Sequence, residues 1–134
     1  MTFTINISPV LLVYDFERSL VFYDATMTAL SFPRCKNFEA NGMREAQYCL
    51  DEDSDSKVLS LIETRDLPGT TQLFTSLSSF PAKNQSAVDT FFAAAIANGA
   101  TEIEKPGLRE DNYYSTSVKD LDGNHIGAFW RNSN

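Results

Sequence analysis

Hydrophobic positions along the chain change their spacing in an order that is used twice. Residues 2–13 carry Phe3, Ile5 and Ile7 at alternate positions and then an apolar run from Val10 to Val13, which predicts a strand. From residue 16 the spacing switches to three and four. Phe16, Leu20, Tyr23, Met27 and Leu30 make one stripe of a helix over 16–30, with Asp15 placed to cap it and Phe32-Pro33 to end it. Strands are predicted over 34–39 and 44–50, joined by a turn at Asn41-Gly42. An acidic stretch, 51–56, lacks the central Gly and terminal Glu of a calcium loop and reads as a solvated turn. A strand over 57–64 follows, then a linker over 65–70 containing Pro68-Gly69.

The second half repeats this order. A strand over 71–80 leads to a helix opened by Ser86 and Asp89 as a capping box and closed at Asn98-Gly99, with Val88, Phe92, Ala95 and Ile96 as its buried face. A strand over 101–105, a loop over 106–111, a strand over 113–119, a tight turn at Asp120-Leu121-Asp122-Gly123-Asn124 and a strand over 125–131 complete it. Phe22-Tyr23 lies 69 positions before Phe91-Phe92, about half the chain. Two copies of one strand-helix-strand-strand-strand unit facing each other create a cleft, and function reduces to what lines it.

Two motifs carry a resemblance that covers essentially the whole chain: Asp15-Phe16-Glu17-Arg18-Ser19 followed by Phe22-Tyr23, and Asp120-Leu121-Asp122-Gly123-Asn124 ahead of the last strand. Together they are similar to the vicinal oxygen chelate superfamily, which includes glyoxalase I, extradiol dioxygenases, fosfomycin-resistance enzymes and bleomycin-resistance proteins. The resemblance implies an α+β fold: two βαβββ modules, about 1–66 and 70–134 of a single domain, forming a curled, partly open mixed sheet around a cleft with helices outside. It also implies a homodimer. Family metalloenzymes hold a divalent ion through His or Glu on the first and last strands of the modules. The matching positions here are Ser8, Ser60, Leu77 and Gly127, none a plausible ligand for a catalytic divalent ion. The expectation is therefore no metal and no cofactor.

Composition narrows the partners. A net charge of −7 without a basic stripe excludes nucleic acid as the expected partner. No apolar stretch approaches the roughly 20 residues that span a bilayer, and Met1–Asn6 has no basic n-region or cleavage pattern, so secretion is not expected. Cys35 and Cys49 have no metal-like spacing and are expected as reduced thiols in a cytoplasmic chain, with a disulfide between them possible but not required.

Strand alternation then assigns the lining. With Ser8 facing the cleft, Val10 and Leu12 follow; Ser60, Leu77, Ser79, Gly127 and Phe129 join by the same rule, and the resemblance turns Ser117 and Tyr113 inward, with Tyr48 beside them. An apolar and aromatic surface carrying hydroxyls suits a small, partly apolar organic molecule. The leading expectation is a metal-free binding protein of the bleomycin-resistance type. The alternatives are a glyoxalase-like lyase or isomerase, with a displaced metal or with His125 or Tyr113 as acid–base candidates, and a structural module that holds no ligand. His125 itself reads as a turn-flanking residue exposed to solvent.

Overall fold

The computed structural model describes residues 8–53, 55–65 and 77–132. The expected strand segments 2–7 and 71–76 lie outside the described residues, as does most of the expected linker. Two modules follow each other. The first holds β1 (Val10–Val13), α1 (Phe16–Ala29), β2 (Arg34–Ala40), β3 (Met43–Cys49) and β4 (Lys57–Glu63). The second holds β5 (Ser78–Pro81), α2 (Gln85–Ala97), β6 (Thr101–Leu108), β7 (Tyr113–Lys119) and β8 (His125–Arg131). Each forms a four-stranded mixed sheet, ordered β1-β4-β3-β2 and β5-β8-β7-β6, so the fold is α+β with two βαβββ modules.

The internal repeat is visible in the register. Val10 pairs with Ser60 across the parallel β1–β4 ladder, and Ser79 pairs with Gly127 across β5–β8. Gln47 opposes Ser60 as Ser117 opposes Gly127, and Lys36 opposes Gln47 as Glu104 opposes Ser117. Val10 and Ser79 are separated by the same 69 positions that separate Phe22 from Phe91.

One hydrophobic core joins the modules. Leu11, Val13, Ala46, Tyr48, Leu59 and Leu61 enter it from the first sheet, Phe80, Val118, Ile126 and Ala128 from the second. The helices add Phe16, Phe22, Tyr23 and Met27 from α1 and Phe91 and Ala95 from α2, and they pack against each other. Period-two alternation in the strands therefore gives each sheet one face in this core and one turned away from it.

Local chemistry explains the element ends. Asp15 Oδ1 accepts from Arg18 N–H at 3.2 Å and caps α1 as its sequence position predicts. The cap of α2 is Asn84, accepting from Ala87 N–H at 2.8 Å, and not the expected Ser86–Asp89 box. Asp89 instead accepts from the Tyr114 hydroxyl at 2.6 Å. The buried face of α2 is Val88, Phe91 and Ala95, and Ile96 is 39% exposed. Asn41 and Gly42 both take positive φ, 55° and 76°, as a two-residue hairpin of the primed type requires. β6 runs to Leu108 through the region expected as a loop, with register shifts after Glu102 and Glu104 accommodating Pro106.

The Asp120–Asn124 turn does more than set register. Asp120 is buried and accepts from the Tyr23 hydroxyl at 2.5 Å, from Asp122 N–H at 2.9 Å, and from Asn124 N–H and Nδ2 at 2.8 and 2.9 Å. Asp122 Oδ1 accepts from Tyr14 N–H at 2.9 Å, and Asn124 Nδ2 donates to Leu12 O at 3.2 Å. One turn of the second module thus satisfies backbone and hydroxyl groups at the end of β1 and within α1. Burial, the Asp120 charge and the hydrogen bond hold the Tyr23 phenol well above the ordinary tyrosine range.

The expectation of reduced thiols is overturned. Cys35 and Cys49 are joined by a disulfide between β2 and β3, with Cα atoms 5.8 Å apart. A register shift between Arg34 and Lys36 in the β2–β3 hairpin falls at Cys35, and the two cysteines are not direct cross-strand partners. That removes the thiol-based ground for a cytoplasmic setting, since disulfides are rare in reducing compartments. No helix among the described residues is long and apolar enough to cross a membrane.

Candidate ligand-binding face

The faces turned away from the core carry most of the predicted residues. On the first sheet one row reads Val10, Ser60, Gln47 and Lys36, and the next Leu12, Ile62, Glu45 and Phe38. On the second sheet the rows read Ser79, Gly127, Ser117 and Glu104, then Pro81, Phe129, Ser115 and Gly107, with Tyr113 opposite Arg131 at one end and His125 opposite Lys119 at the other. Ser8 and Leu77 stand two residues before Val10 and Ser79, just outside their strands.

Tyr48 is the correction. It lies on the core side, and its hydroxyl donates to Asp24 of α1 at 2.7 Å. Asp24 in turn pairs with Arg34 Nε at 3.3 Å. Burial is the main reason the Tyr48 phenol is pushed far above its ordinary pKa, so it is a buttress between sheet and helix. The phase assigned to Tyr48 from sequence is also what hid Gln47. Alternation places only one of two neighbours on a given face, and the buried position belongs to the tyrosine. Glu45 shares the Gln47 face of β3, and Lys36 and Glu104 stand in the same rows on β2 and β6; no motif or apolar pattern in the sequence singles these charged residues out.

Tyr113 and Phe129 meet edge to face with ring centroids 5.9 Å apart, and the Arg131 guanidinium lies 5.4 Å from the Tyr113 centroid. His125 is half-buried and not solvent-exposed as expected; its Nε2 is buried without a hydrogen-bond partner among the described residues. Ser60 is 1% exposed, and its Oγ is likewise buried and unpartnered.

Away from these rows, a cavity of about 380 Å³ opens beside the start of α1, lined by Tyr14, Asp15, Phe16, Arg44, Glu63, Thr64 and Arg65. Its chemistry is largely internally satisfied. Arg44 lies over the Phe16 ring at 4.7 Å and pairs with both Glu17 and Glu63, and its hydrogen bonds hold the Glu63 carboxyl below the usual carboxylate range.

Among solved structures, a glyoxalase/bleomycin resistance protein from Albidiferax ferrireducens T118 is 30% identical over 93% of this chain and 98% of its own, with a TM-score of 0.68. The chain belongs to the glyoxalase/bleomycin resistance family. It therefore lies within the vicinal oxygen chelate superfamily. The fold is shared with a glyoxylase/bleomycin resistance protein/dioxygenase domain from Frankia sp. EAN1pec, at TM-score 0.72 and 16% identity over 98% of this chain and all of that one. A glyoxalase-related enzyme from Fulvimarina pelagi gives 0.64 and 13%, covering 93% and 87%. No family model and no curated protein matches the sequence.

Membership in the glyoxalase/bleomycin resistance family poses the metal question directly, and the residues present do not fit an ion. An ideal Cβ built at Gly127 would stand 2.5 Å from the Thr116 carbonyl oxygen, so β7 passes too close for any side chain there. Leu77 Cδ1 lies 3.5 Å from that same point. Ser60 is a poor ligand at neutral pH, and Glu63, the nearest carboxylate in β4, is committed to Arg44. No group of three His, Cys, Asp or Glu side chains able to hold a metal is formed among the described residues.

Proposed function

We propose that this member of the glyoxalase/bleomycin resistance family is a metal-free binding protein, holding a small, partly apolar organic molecule on the strand faces turned away from the core. The observation that carries the reading is Gly127: the position where a metalloenzyme of the superfamily would place a Glu is closed to every side chain by the Thr116 carbonyl. Val10, Leu12, Ile62, Phe129 and Tyr113 supply apolar and aromatic contact, and Ser60, Ser79, Ser115 and Ser117 supply hydroxyls. The test is a thermal-shift screen of aromatic and amphipathic compounds followed by calorimetric titration. A compound at one hundred times its dissociation constant adds about 2.7 kcal/mol to stability. Failure of every class to move the melting point leaves the structural-module alternative.

His125 favours a second reading, acid–base chemistry without a metal, because its Nε2 is buried with no partner among the described residues. Mass analysis of bound compounds after incubation separates the two: conversion that is lost in H125N while binding is kept supports catalysis. We further propose a homodimer. β2 and β6 are sheet edges, and Phe38, Ile103 and Leu108 on them are exposed at 45%, 40% and 66%. Sedimentation velocity checks this, and a monomer at micromolar concentration contradicts it.

A further inference from the structure

The polar groups on the first sheet's outward face are arranged to receive one kind of head group. Glu45 is half-buried and, among the described residues, its single hydrogen-bond partner is neutral: Gln47 Nε2 donates to Glu45 Oε2 at 2.8 Å. Of the cations around it, Arg34 and Arg44 are committed elsewhere, whereas Lys36, opposite Gln47 on this face, is half exposed and pairs with the exposed Asp55 at 3.4 Å. Arg34 pairs with Asp24 at 3.3 Å, and Arg44, next in sequence but on the opposite face, with Glu17 and Glu63.

Because the Gln47 amide nitrogen is turned to Glu45, its carbonyl is left as an acceptor. Beside it in register is Ser60, 1% exposed, whose buried hydroxyl has no partner among the described residues. A buried hydroxyl without a described partner is a group that a ligand's donor can satisfy. A carboxylate, an amide carbonyl and a hydroxyl in adjacent rows offer acceptors in excess of donors. Leu12, Ile62 and Phe38 share the Glu45 row and give an apolar bed on either side.

We propose that the ligand is an organic cation, an apolar body bearing a protonated amine, with its ammonium group received by Glu45 and steadied by Gln47 and Ser60. This rests on the binding reading above and specifies the ligand class for it. A charge-assisted hydrogen bond is roughly twice as strong as a neutral one, so exchanging the Glu45 carboxylate for an amide weakens an amine by about tenfold or more.

The experiment uses the full chain and matched probes that share a body: phenylbutylamine and naphthylbutylamine, the corresponding alcohols and the corresponding carboxylates. Each is titrated calorimetrically against wild type, E45Q and S60A, whose folding is verified by thermal melts. The expected result is that amines bind tightest, that E45Q brings them level with the alcohols while leaving the alcohols unchanged, and that S60A weakens all three classes slightly. Equal binding of amines and alcohols to wild type, or an amine preference that survives E45Q, overturns the inference while the binding reading stands. No binding by any probe, with the melting point also unmoved by the broader screen, removes both.

Discussion

Replacing Gly127 by Ala tests whether the last-strand slot is closed. The added methyl starts 2.5 Å from the Thr116 carbonyl oxygen, and real Cβ atoms essentially never come within 3.0 Å of such a neighbour. Relief therefore needs roughly half an ångström of separation between β7 and β8, two central strands of the second sheet. Overpacking of this kind costs about 1–3 kcal/mol, and each ladder hydrogen bond stretched to accommodate it adds about 1 kcal/mol. The expected destabilisation is about 2–4 kcal/mol, read by urea unfolding as a midpoint shift of roughly 1–2 M with the slope unchanged. Two controls identify the cause. Gly123→Ala meets nothing within 4 Å but sits at φ +87°, so it should lose only the roughly 1–2 kcal/mol of a left-handed backbone. Leu77→Ala combined with Gly127→Ala should rescue little, because the obstacle is backbone and not the leucine. A Gly127→Ala protein within about 0.5 kcal/mol of wild type would refute the closure argument and reopen this position to a liganding side chain.

Three further outcomes follow from the inter-module and inter-strand ties. Tyr23→Phe removes the buried hydroxyl from Asp120 and should cost about 1–2 kcal/mol at neutral pH. Burial and Asp120 raise the folded-state pKa of Tyr23, so its contribution is intact below the unfolded value of 10.0 and is lost as pH rises beyond it; the wild-type alkaline decline should be shallower in the variant. For Glu63 the direction reverses. Arg44 lowers its pKa from 4.5, so the stabilisation is present above that value and lost as pH falls through the depressed one, and Glu63→Gln should flatten the acid limb of the stability curve. Reduction of Cys35–Cys49, 14 positions apart, should cost about 3 kcal/mol by loop-closure entropy, and a double serine variant should be insensitive to dithiothreitol.

Much of the fold was legible because two signals reinforced each other. Helical spacing from Phe16 to Leu30 and the Asp15 cap mark α1, and Asn41-Gly42 marks its hairpin; the same order in the second half makes the repeat plain. What failed did so where a local rule has two solutions. Ser86 and Asn84 are both acceptable caps, and Phe91 and Phe92, adjacent in sequence, are both apolar, so the pattern alone did not select Phe91 for the buried face of α2. Tyr48 and Gln47 are neighbours of opposite phase. Only the Tyr48 hydroxyl's bond to the Asp24 carboxylate and the core around Tyr48 decide which turns inward. The disulfide lies beside a register shift in the β2–β3 hairpin at Cys35, and such a shift leaves no pattern in hydrophobicity. Residue types at Ser60, Leu77 and Gly127 were readable directly from the sequence; the close approach of the Thr116 carbonyl to Gly127 needed the structure.

The most direct measurement is metal content and metal response of the purified protein. Elemental analysis, with thermal melts in the presence of Ni, Zn or Mn and of a chelator, should give substoichiometric divalent ion and an unchanged melting point in every condition. One tightly held ion per chain, whose removal lowers the melting point, would contradict the proposed metal-free binding site.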